Sequence, residues 1–362
     1  MSDVPIADPE LRDREIDAAV ETLESGMLAD GPQVREFEAE FAGFCEAEHG
    51  VATSNGTTAL HAALEALEIG EGDKVVTSPY SFVASANAVR LAGAEPVFAD
   101  IDPDTFNLEP TAVEEAIRRE DDVAAVMPVH LYGLPAEMDR LLEIADEYDL
   151  AVIEDAAQAH GAAYEGRKVG SFGDAACFSF YPTKNMTTGE GGMITTNRED
   201  VAERAESFVN HGRPPEGGYE HVRTGHNFRM TSTAAAIGRV QLDRLPDYNE
   251  ARRENAARFD EALEDADVVT PYVPEGRRHV YHQYTIRADD RDGLADHLEA
   301  EGVGTGVYYP TPIHELKAYA DVDHAAPVAE RTAGQALSLP VHPNLTEEDR
   351  RTVVDAVTEY QP

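Results

Sequence analysis

The 362-residue chain contains no tryptophan, only two cysteines and only four lysines. Cys45 and Cys177 are too few for a disulfide framework or for a zinc site built from cysteines. No apolar run approaches the roughly 20 residues of a membrane helix, and the first residues lack the basic-then-apolar pattern of a secretory signal. With 42% hydrophobic and 27% charged residues, we expect a globular protein of the cytoplasm.

The chain is strongly acidic, with 70 Asp and Glu against 29 Lys and Arg and a net charge of −41. This charge repels phosphates, so neither nucleic acid nor a membrane surface is expected as a partner. The acids are dispersed, which indicates a solvated coat, with a cationic partner as the alternative. Molar salt shortens the Debye length to about 3 Å and so screens the repulsion between carboxylates. Such an acidic, lysine-poor surface therefore suits a salt-loving host.

Strand-like apolar runs alternate with amphipathic helical patterns from about residue 49 to residue 196. This βαβ alternation predicts an α/β fold with a mostly parallel central sheet flanked by helices. Two long helical patterns follow residue 230, and a smaller α+β pattern follows them. We therefore predict a large domain over residues 1–245 and a smaller C-terminal domain over 246–362.

The segment SNGTT, residues 54–58, joins a predicted strand to a predicted helix. Unpaired N–H groups and the helix dipole make such a turn a ready anion site, and Gly56 lets a phosphate approach the backbone. The alternative is an ordinary helix cap in which Thr57 or Thr58 bonds the first turn.

The segment EDAAQAHG, residues 154–161, follows a buried-strand pattern. Ligands of open α/β sheets bind at the carboxyl ends of strands, so Asp155 is a candidate metal ligand, general base or partner of a protonated ring nitrogen. A helix-capping role for Asp155 is equally compatible with the sequence. His160 is more typical of a packed histidine than of a catalyst.

Lys184 lies in a loop rich in glycine, serine and threonine, after another apolar strand pattern. In a chain that nearly avoids lysine, an amine nucleophile is the chemistry that arginine cannot replace. Tyr181 and Lys184 could instead be the pair of a short-chain dehydrogenase. However, Pro182 lies between them and no glycine-rich dinucleotide fingerprint follows a first strand, which disfavours this alternative.

A phosphate-binding turn, a strand-end aspartate and a loop lysine are together the parts that hold pyridoxal 5'-phosphate. Six motifs make this interpretation specific: SNGTTAL, SFVASANAV, PVHLYG, EDAAQAHGA, SFYPTKNMTTGEGG and GHNFRMTSTAAAIG. Over nearly its whole length the chain resembles the DegT/DnrJ/EryC1/StrS sugar aminotransferases, which are fold-type I pyridoxal-phosphate enzymes. The resemblance implies the fold of the fold-type I enzymes and pyridoxal 5'-phosphate as the cofactor, and no metal is expected.

The resemblance also implies roles for individual residues. Lys184 would form the imine with the cofactor and shuttle the proton, Asp155 would pair with the pyridine nitrogen, and Gln158 would bond the ring hydroxyl. The phosphate would be held by Gly56, Thr57 and Ser179. Family members that remove a sugar hydroxyl have a histidine in place of this lysine, so Lys184 favours amino transfer.

Three further residues are implied to contact the cofactor. Phe82 would stack on one face of the ring and Ala157 on the other, although Phe82 could instead be ordinary core. Asn227 would reach the phosphate from the second subunit, although it could cap the helix that follows Met230. The resemblance thus implies a homodimer with a composite active site.

The function implied is transfer of the amino group of L-glutamate to a nucleotide-linked keto sugar, in two half-reactions, for polysaccharide or glycan synthesis. Residues 210–213 and 225–230 resemble those of perosamine synthases and favour a 4-keto-6-deoxyhexose. A 3-keto sugar or a cyclitol ketone is the alternative substrate, and a sensor or scaffold that lacks catalysis is the alternative of another class. The candidate substrate-binding residues are His160, Arg213, Arg229 and His314.

Overall fold

The computed structural model describes residues 4–214, 218–322 and 324–361. In chain order, its strands are β1 (His49–Thr53), β2 (Lys74–Thr77), β3 (Glu95–Phe98), β4 (Val123–Met127), β5 (Ala151–Asp155), β6 (Ala163–Tyr164), β7 (Arg167–Lys168), β8 (Ala175–Ser179), β9 (Gly192–Thr196), β10 (Arg277–Arg278), β11 (Tyr284–Arg287) and β12 (Ala336–Leu339). Its α-helices are α1 (Asp13–Ser25), α2 (Pro32–Phe44), α3 (Gly56–Ala66), α4 (Ala84–Leu91), α5 (Pro110–Arg119), α6 (Met138–Tyr148), α7 (Glu199–Val209), α8 (Ser232–Ala262), α9 (Arg291–Ala300), α10 (Pro327–Gln335) and α11 (Glu347–Glu359). Within these ranges, no helix combines the length and the apolar character needed to cross a membrane.

The central sheet has the strand order β1-β9-β8-β5-β4-β2-β3. The pairs among β2, β3, β4, β5 and β8 are parallel, whereas β9 runs antiparallel to both β8 and β1. The predicted α/β fold with a mostly parallel sheet is therefore confirmed. Strands β8 and β9 are consecutive in the chain and antiparallel, and the loop that joins them contains Lys184.

Helices cover both faces of the sheet because successive strand residues point to opposite sides. Val75 and Ile153 belong to an apolar cluster with residues of α3 and α7, whereas Val76 and Val152 belong to another with residues of α5 and α6. Each of these strands is therefore buried on both faces, which explains the nearly continuous apolar runs seen in the sequence.

The C-terminal region differs from its prediction in one respect. The two helical patterns after residue 230 form the single helix α8, which runs through residue 245 and contains Pro246. A separate apolar cluster includes Phe259 of α8 together with residues of β11, α9, β12 and α11. The domain boundary predicted at residue 245 remains a prediction, and it lies within a continuous helix.

Strand register brings the three functional segments to one edge of the sheet. Asp155 at the end of β5 pairs with Cys177 of β8, two residues before the end of that strand. Gly192 at the start of β9 pairs with both Ser179 and Thr53, the last residues of β8 and β1. The turn into α3, the strand-end aspartate and the lysine loop therefore meet.

Candidate active site

The turn into α3 exposes unpaired backbone donors. Asn55 caps the helix: its Oδ1 accepts from the N–H of Thr58 at 3.0 Å, and the Thr58 hydroxyl accepts from the N–H of Asn55 at 3.1 Å. The N–H groups of Gly56 and Thr57 have no acceptor among the described residues. A Cβ on Gly56 would lie 2.7 Å from the Cβ of Ser179, so only glycine leaves this cradle open.

The cradle fits a phosphate group. Two free N–H groups at a helix N-terminus and the neighbouring Ser179 hydroxyl are suitable donors for an anion. The helix cap and the anion site are therefore compatible, because Asn55 and Thr58 form the cap and leave Gly56 and Thr57 free.

Asp155 is a buried carboxylate held by neutral donors. One oxygen accepts from the hydroxyl of Ser85 at 2.7 Å, and the other accepts from the N–H of Ala157 at 3.2 Å. Burial raises the pKa of Asp155, against the opposing effect of these hydrogen bonds and of Lys184. A protonated pyridine nitrogen would supply the positive partner that favours the charged carboxylate.

Lys184 lies in the loop after β8, where its N–H donates to the carbonyl of Tyr181 at 2.9 Å. No hydrogen bond or ion pair to its Nζ occurs among the described residues. Burial lowers the pKa of Lys184 to about 8, and the charge of Asp155 acts in the opposite direction. An amine with this pKa is available as a nucleophile near neutral pH.

Gln158 and Phe82 lie on the same cavity. The amide of Gln158 accepts from the N–H of Tyr132 at 2.7 Å and donates to the hydroxyl of Tyr309 at 3.0 Å, which fixes its orientation. Phe82 is 56% exposed and its ring centroid lies 6.1 Å from that of Tyr309. Phe82 is therefore not a core residue, and one face of its ring is available to a planar ligand.

A cavity of about 830 Å³ joins these groups. Eight of the residues predicted for the site line it: Gly56, Thr57, Phe82, Asp155, Ala157, Gln158, Ser179 and Lys184. Their roles remain predictions, but the fold brings them together from four separate stretches of the chain.

The other predicted residues lie outside the lining of this cavity. Asn227 is exposed and pairs with Asn210 in an isolated bridge, and it does not cap α8, because Thr231 does. Arg229 donates to Asn210 at 2.6 Å. Arg213 lies over the ring of Tyr219, at 5.3 Å from its centroid.

The two histidines that were predicted to bind the substrate are buried and do not line the cavity. His160 packs among the rings of Phe41, Phe178 and Phe180, and burial lowers its pKa to about 3. Its surroundings are those of a packed histidine, the interpretation favoured from the sequence. His314 is also buried and bonds Glu330 at 3.1 Å. The substrate-binding roles of both histidines remain predictions.

Among the cavity residues to which sequence reasoning gave no role are four from the C-terminal region, namely His282, Gln283, Tyr308 and Tyr309. They lie more than 90 residues after the lysine loop. Their local patterns are those of ordinary strands and loops, so nothing near them in the sequence indicated a site.

A family model for the DegT/DnrJ/EryC1/StrS aminotransferases matches residues 9–358. The chain belongs to this family. Aminotransferases of the family depend on pyridoxal 5'-phosphate, so the predicted cofactor and enzyme class are confirmed. The cradle at Gly56, the buried carboxylate of Asp155 and the amine of Lys184 all fit this cofactor.

Relatives of this aminotransferase have diverse names. It is 44% identical to a "pleiotropic regulatory protein" of Geobacillus stearothermophilus over 94% of this chain and 92% of that protein. It is 41% identical to UDP-N-acetyl-3-dehydro-alpha-D-glucosamine 3-aminotransferase of Acidithiobacillus ferrooxidans, over 93% and 91%. It is 40% identical to GDP-perosamine synthase of Caulobacter vibrioides, over 99% of each.

Among solved structures, the fold matches that of S. venezuelae DesV in complex with a ketimine intermediate. The TM-score is 0.95 and the sequences are 39% identical, over 99% of this chain and 98% of that one. The predicted fold class of a pyridoxal-phosphate aminotransferase is thereby confirmed.

Proposed function

We propose that this enzyme transfers the amino group of L-glutamate to the carbonyl carbon of a nucleotide-linked keto sugar. The observation that carries the proposal is the placement of Lys184, Asp155 and the cradle at Gly56 on one cavity of about 830 Å³. That volume lies in the upper part of the range of about 300–1,000 Å³ for small-molecule sites. The names of the relatives from A. ferrooxidans and C. vibrioides support a sugar nucleotide as substrate.

Pyridoxal phosphate, when bound, supplies a carbon to which amines add and a ring that withdraws electrons from the substrate. The N–H groups of Gly56 and Thr57, the Ser179 hydroxyl and the positive end of α3 would bind its phosphate. Asp155 holds a proton at the pyridine nitrogen, and Gln158, oriented by its two hydrogen bonds, contacts the ring hydroxyl.

Lys184 anchors the cofactor and moves the proton of the reaction. Its Nζ removes a proton from the α-carbon of glutamate in the first half-reaction and returns a proton to the sugar carbon in the second. Phe82 and Ala157, which line the same cavity, would hold the cofactor ring when it is bound. Because both half-reactions use one site in turn, we expect ping-pong kinetics.

The carbon that is aminated is the finer part of the proposal. The segments 210–213 and 225–230 favour a 4-keto-6-deoxyhexose, in accord with the similarity to a perosamine synthase. A 3-keto sugar is the alternative, in accord with the similarity to a 3-aminotransferase, and a cyclitol ketone is a further one. Incubation with 3-keto and 4-keto sugar nucleotides, followed by NMR of the amino sugar formed, distinguishes these substrates.

We further propose a homodimer in which Asn227 of one subunit completes the phosphate site of the other. Two observations support this assembly. Asn227 is exposed and lies outside the cavity lining of its own subunit. Helix α1 exposes an apolar stripe, with Ile16, Val20 and Leu23 at 52%, 45% and 56% exposure, which suits burial against another surface.

A sensor that binds the cofactor without turnover is the second candidate function, favoured by the name of the relative from G. stearothermophilus. The joint presence of Lys184, Asp155 and Gln158 on the cavity supports the enzyme instead. A sensor would bind pyridoxal phosphate but would not exchange the α-proton of glutamate for deuterium.

The decisive experiment is the visible spectrum of the cofactor-loaded protein in molar KCl before and after addition of L-glutamate. The enzyme should lose its yellow absorbance on addition of glutamate and regain it on addition of the correct keto sugar nucleotide. Lys184→Ala should not undergo this cycle, whereas Lys317→Ala, which removes an exposed lysine, should match the wild type. A wild-type spectrum that glutamate leaves unchanged would refute the proposed function.

A further inference from the structure

Two buried polar side chains of the cavity wall have no described partner. His282 and Gln283 are only 6% and 8% exposed, and both line the cavity that contains Lys184. The backbone of Gln283 is anchored by its N–H, which donates to the carbonyl of Tyr132 at 3.3 Å. Neither side chain forms a hydrogen bond to another described residue, so their bonding capacity is available to a molecule in the cavity.

His282 is suited to act as a neutral donor. Its Nδ1 is buried without a partner, which leaves Nε2 as the ring nitrogen available to a ligand. An unpaired N–H is less well tolerated in a protein interior than an unpaired lone pair, so the proton belongs on Nε2. Burial holds the pKa of His282 well below its usual range, and Lys184 and Arg252 act in the same direction.

The neutral state of His282 matters because few charged side chains line the cavity. Among the described residues that one subunit contributes to the lining, the charged side chains are Lys184, Asp155 and Glu190, and none is an arginine. An amino acid donor carries its α-carboxylate next to the reacting carbon, whereas a keto sugar carries a hydroxylated ring carbon there. An arginine that bound the carboxylate would be left unpaired and desolvated when the uncharged ring replaced it.

A neutral N–H donor avoids this penalty because it can donate to a carboxylate oxygen or to a hydroxyl oxygen without itself carrying a charge. The carboxylate carbon of the donor and the neighbouring carbon of the sugar are each one bond from the carbon at which Lys184 acts. Their oxygens therefore occupy the same region in the two half-reactions. His282 lines the same cavity as Lys184, and the charge of Lys184 contributes to lowering its pKa, so His282 is available to ligands in this region.

We propose that His282 and Gln283 form a neutral subsite that binds the α-carboxylate of the amino donor in one half-reaction. In the other, it binds the hydroxyl beside the keto carbon of the sugar. The inference rests on the proposed function and explains how one cavity accepts two substrates of different charge.

The test uses cofactor-loaded protein and glutarate, an unreactive dicarboxylate, in calorimetric titrations at pH 7.5. Gln283→Glu and His282→Leu should each weaken glutarate binding by about tenfold or more, because one adds a repelling charge and the other removes a donor. His282→Gln keeps a neutral donor and should remain within about threefold of the wild type. Gln33→Glu, which adds the same charge beside Arg239 and away from the cavity, serves as the matched control.

The binding of both substrates by this one subsite is tested with Gln283→Arg. The two half-reactions are followed separately by the absorbance of the bound cofactor. We expect tighter glutarate binding and a lower KM for glutamate, but a return half-reaction with the keto sugar slowed by about tenfold. Glutarate binding that is unchanged in Gln283→Glu and His282→Leu would overturn the subsite, as would a Gln283→Arg variant unimpaired in both half-reactions. Failure of the wild type to react with glutamate at all would instead refute the proposed function.

Discussion

The burial of Lys184 is predicted to destabilise the cofactor-free fold, and this effect can be measured. A pKa of about 8, against 10.5 for an ordinary lysine, means that the folded state disfavours the charged amine. The shift corresponds to about 3 kcal/mol at pH 7. Because Lys184 is partly accessible from the cavity, where solvent screens its charge, this is an upper value. Replacement by methionine, which is similar in size but uncharged, should therefore stabilise the cofactor-free protein by up to about 3 kcal/mol.

The stability gained by Lys184→Met should depend on pH, because the pKa of Lys184 differs between the folded and the unfolded states. Below pH 8 the lysine is charged in both the folded and the unfolded states, so the full penalty is present. As the pH rises from 8 towards 10.5, the folded state has lost its proton and the unfolded state has not, so the penalty decreases with pH. The stability gained by Lys184→Met should fall from about 3 kcal/mol at pH 7 to about 1.4 kcal/mol at pH 9.5.

Urea unfolding of the cofactor-free proteins in molar KCl, at both pH values, measures the effect. Lys317→Met is the matched control, since Lys317 is exposed and its replacement should change stability by less than about 0.5 kcal/mol. Asp155→Asn should lower the pKa of Lys184 further, because it removes the charge that raises it. The reasoning fails if Lys184→Met is no more stable than the wild type at pH 7, or if its advantage does not depend on pH.

Three other predictions concern the cofactor, the assembly and the salt dependence. Gly56→Ala should weaken pyridoxal phosphate binding by about tenfold or more, because its Cβ would lie 2.7 Å from that of Ser179. Equilibrium titration followed by absorbance measures this affinity. An unchanged affinity would contradict the role of Gly56 in the phosphate site. Mixtures of two inactive variants, Lys184→Ala and Asn227→Ala, should recover activity when subunits exchange, because one hybrid site is intact; no recovery in verified hybrid dimers would exclude the shared site. With a net charge of −41, the protein should gain thermal stability as KCl is raised to molar concentrations, measured by calorimetry; a melting temperature that does not rise would contradict adaptation to salt.

Much of the site could be predicted because its chemistry is local in sequence. The turn at Gly56, the strand end at Asp155 and the loop at Lys184 each follow a strand, and parallel strands end at the same edge of a sheet. The resemblance to a known family then assigned a role to each residue. The cytoplasmic location and the domain boundary rest on the sequence alone and remain predictions.

Residues that come from distant parts of the chain could not be predicted. His282, Gln283 and Tyr309 reach the cavity because the C-terminal region packs against the sheet edge, and their neighbours in sequence carry no sign of this. The sequence also left open whether Phe82 is core or ligand surface, and the structure shows it exposed to the cavity. The single helix α8 was predicted as two helical patterns, and Pro246, a residue that ordinarily ends a helix, lies between them.

The sequence by itself determined the alternation of strands and helices and the acidic composition, and it predicted the residues of the cofactor site. These properties depend on hydrophobic periodicity, composition and short motifs, which need no knowledge of distant contacts. Only the tertiary structure decided which side chains share the cavity, how the pKa of Lys184 is lowered and which donors remain free. Each of these depends on burial and on neighbours far away in the chain, because the free energy of a charge or a hydrogen bond is set by what surrounds it in space.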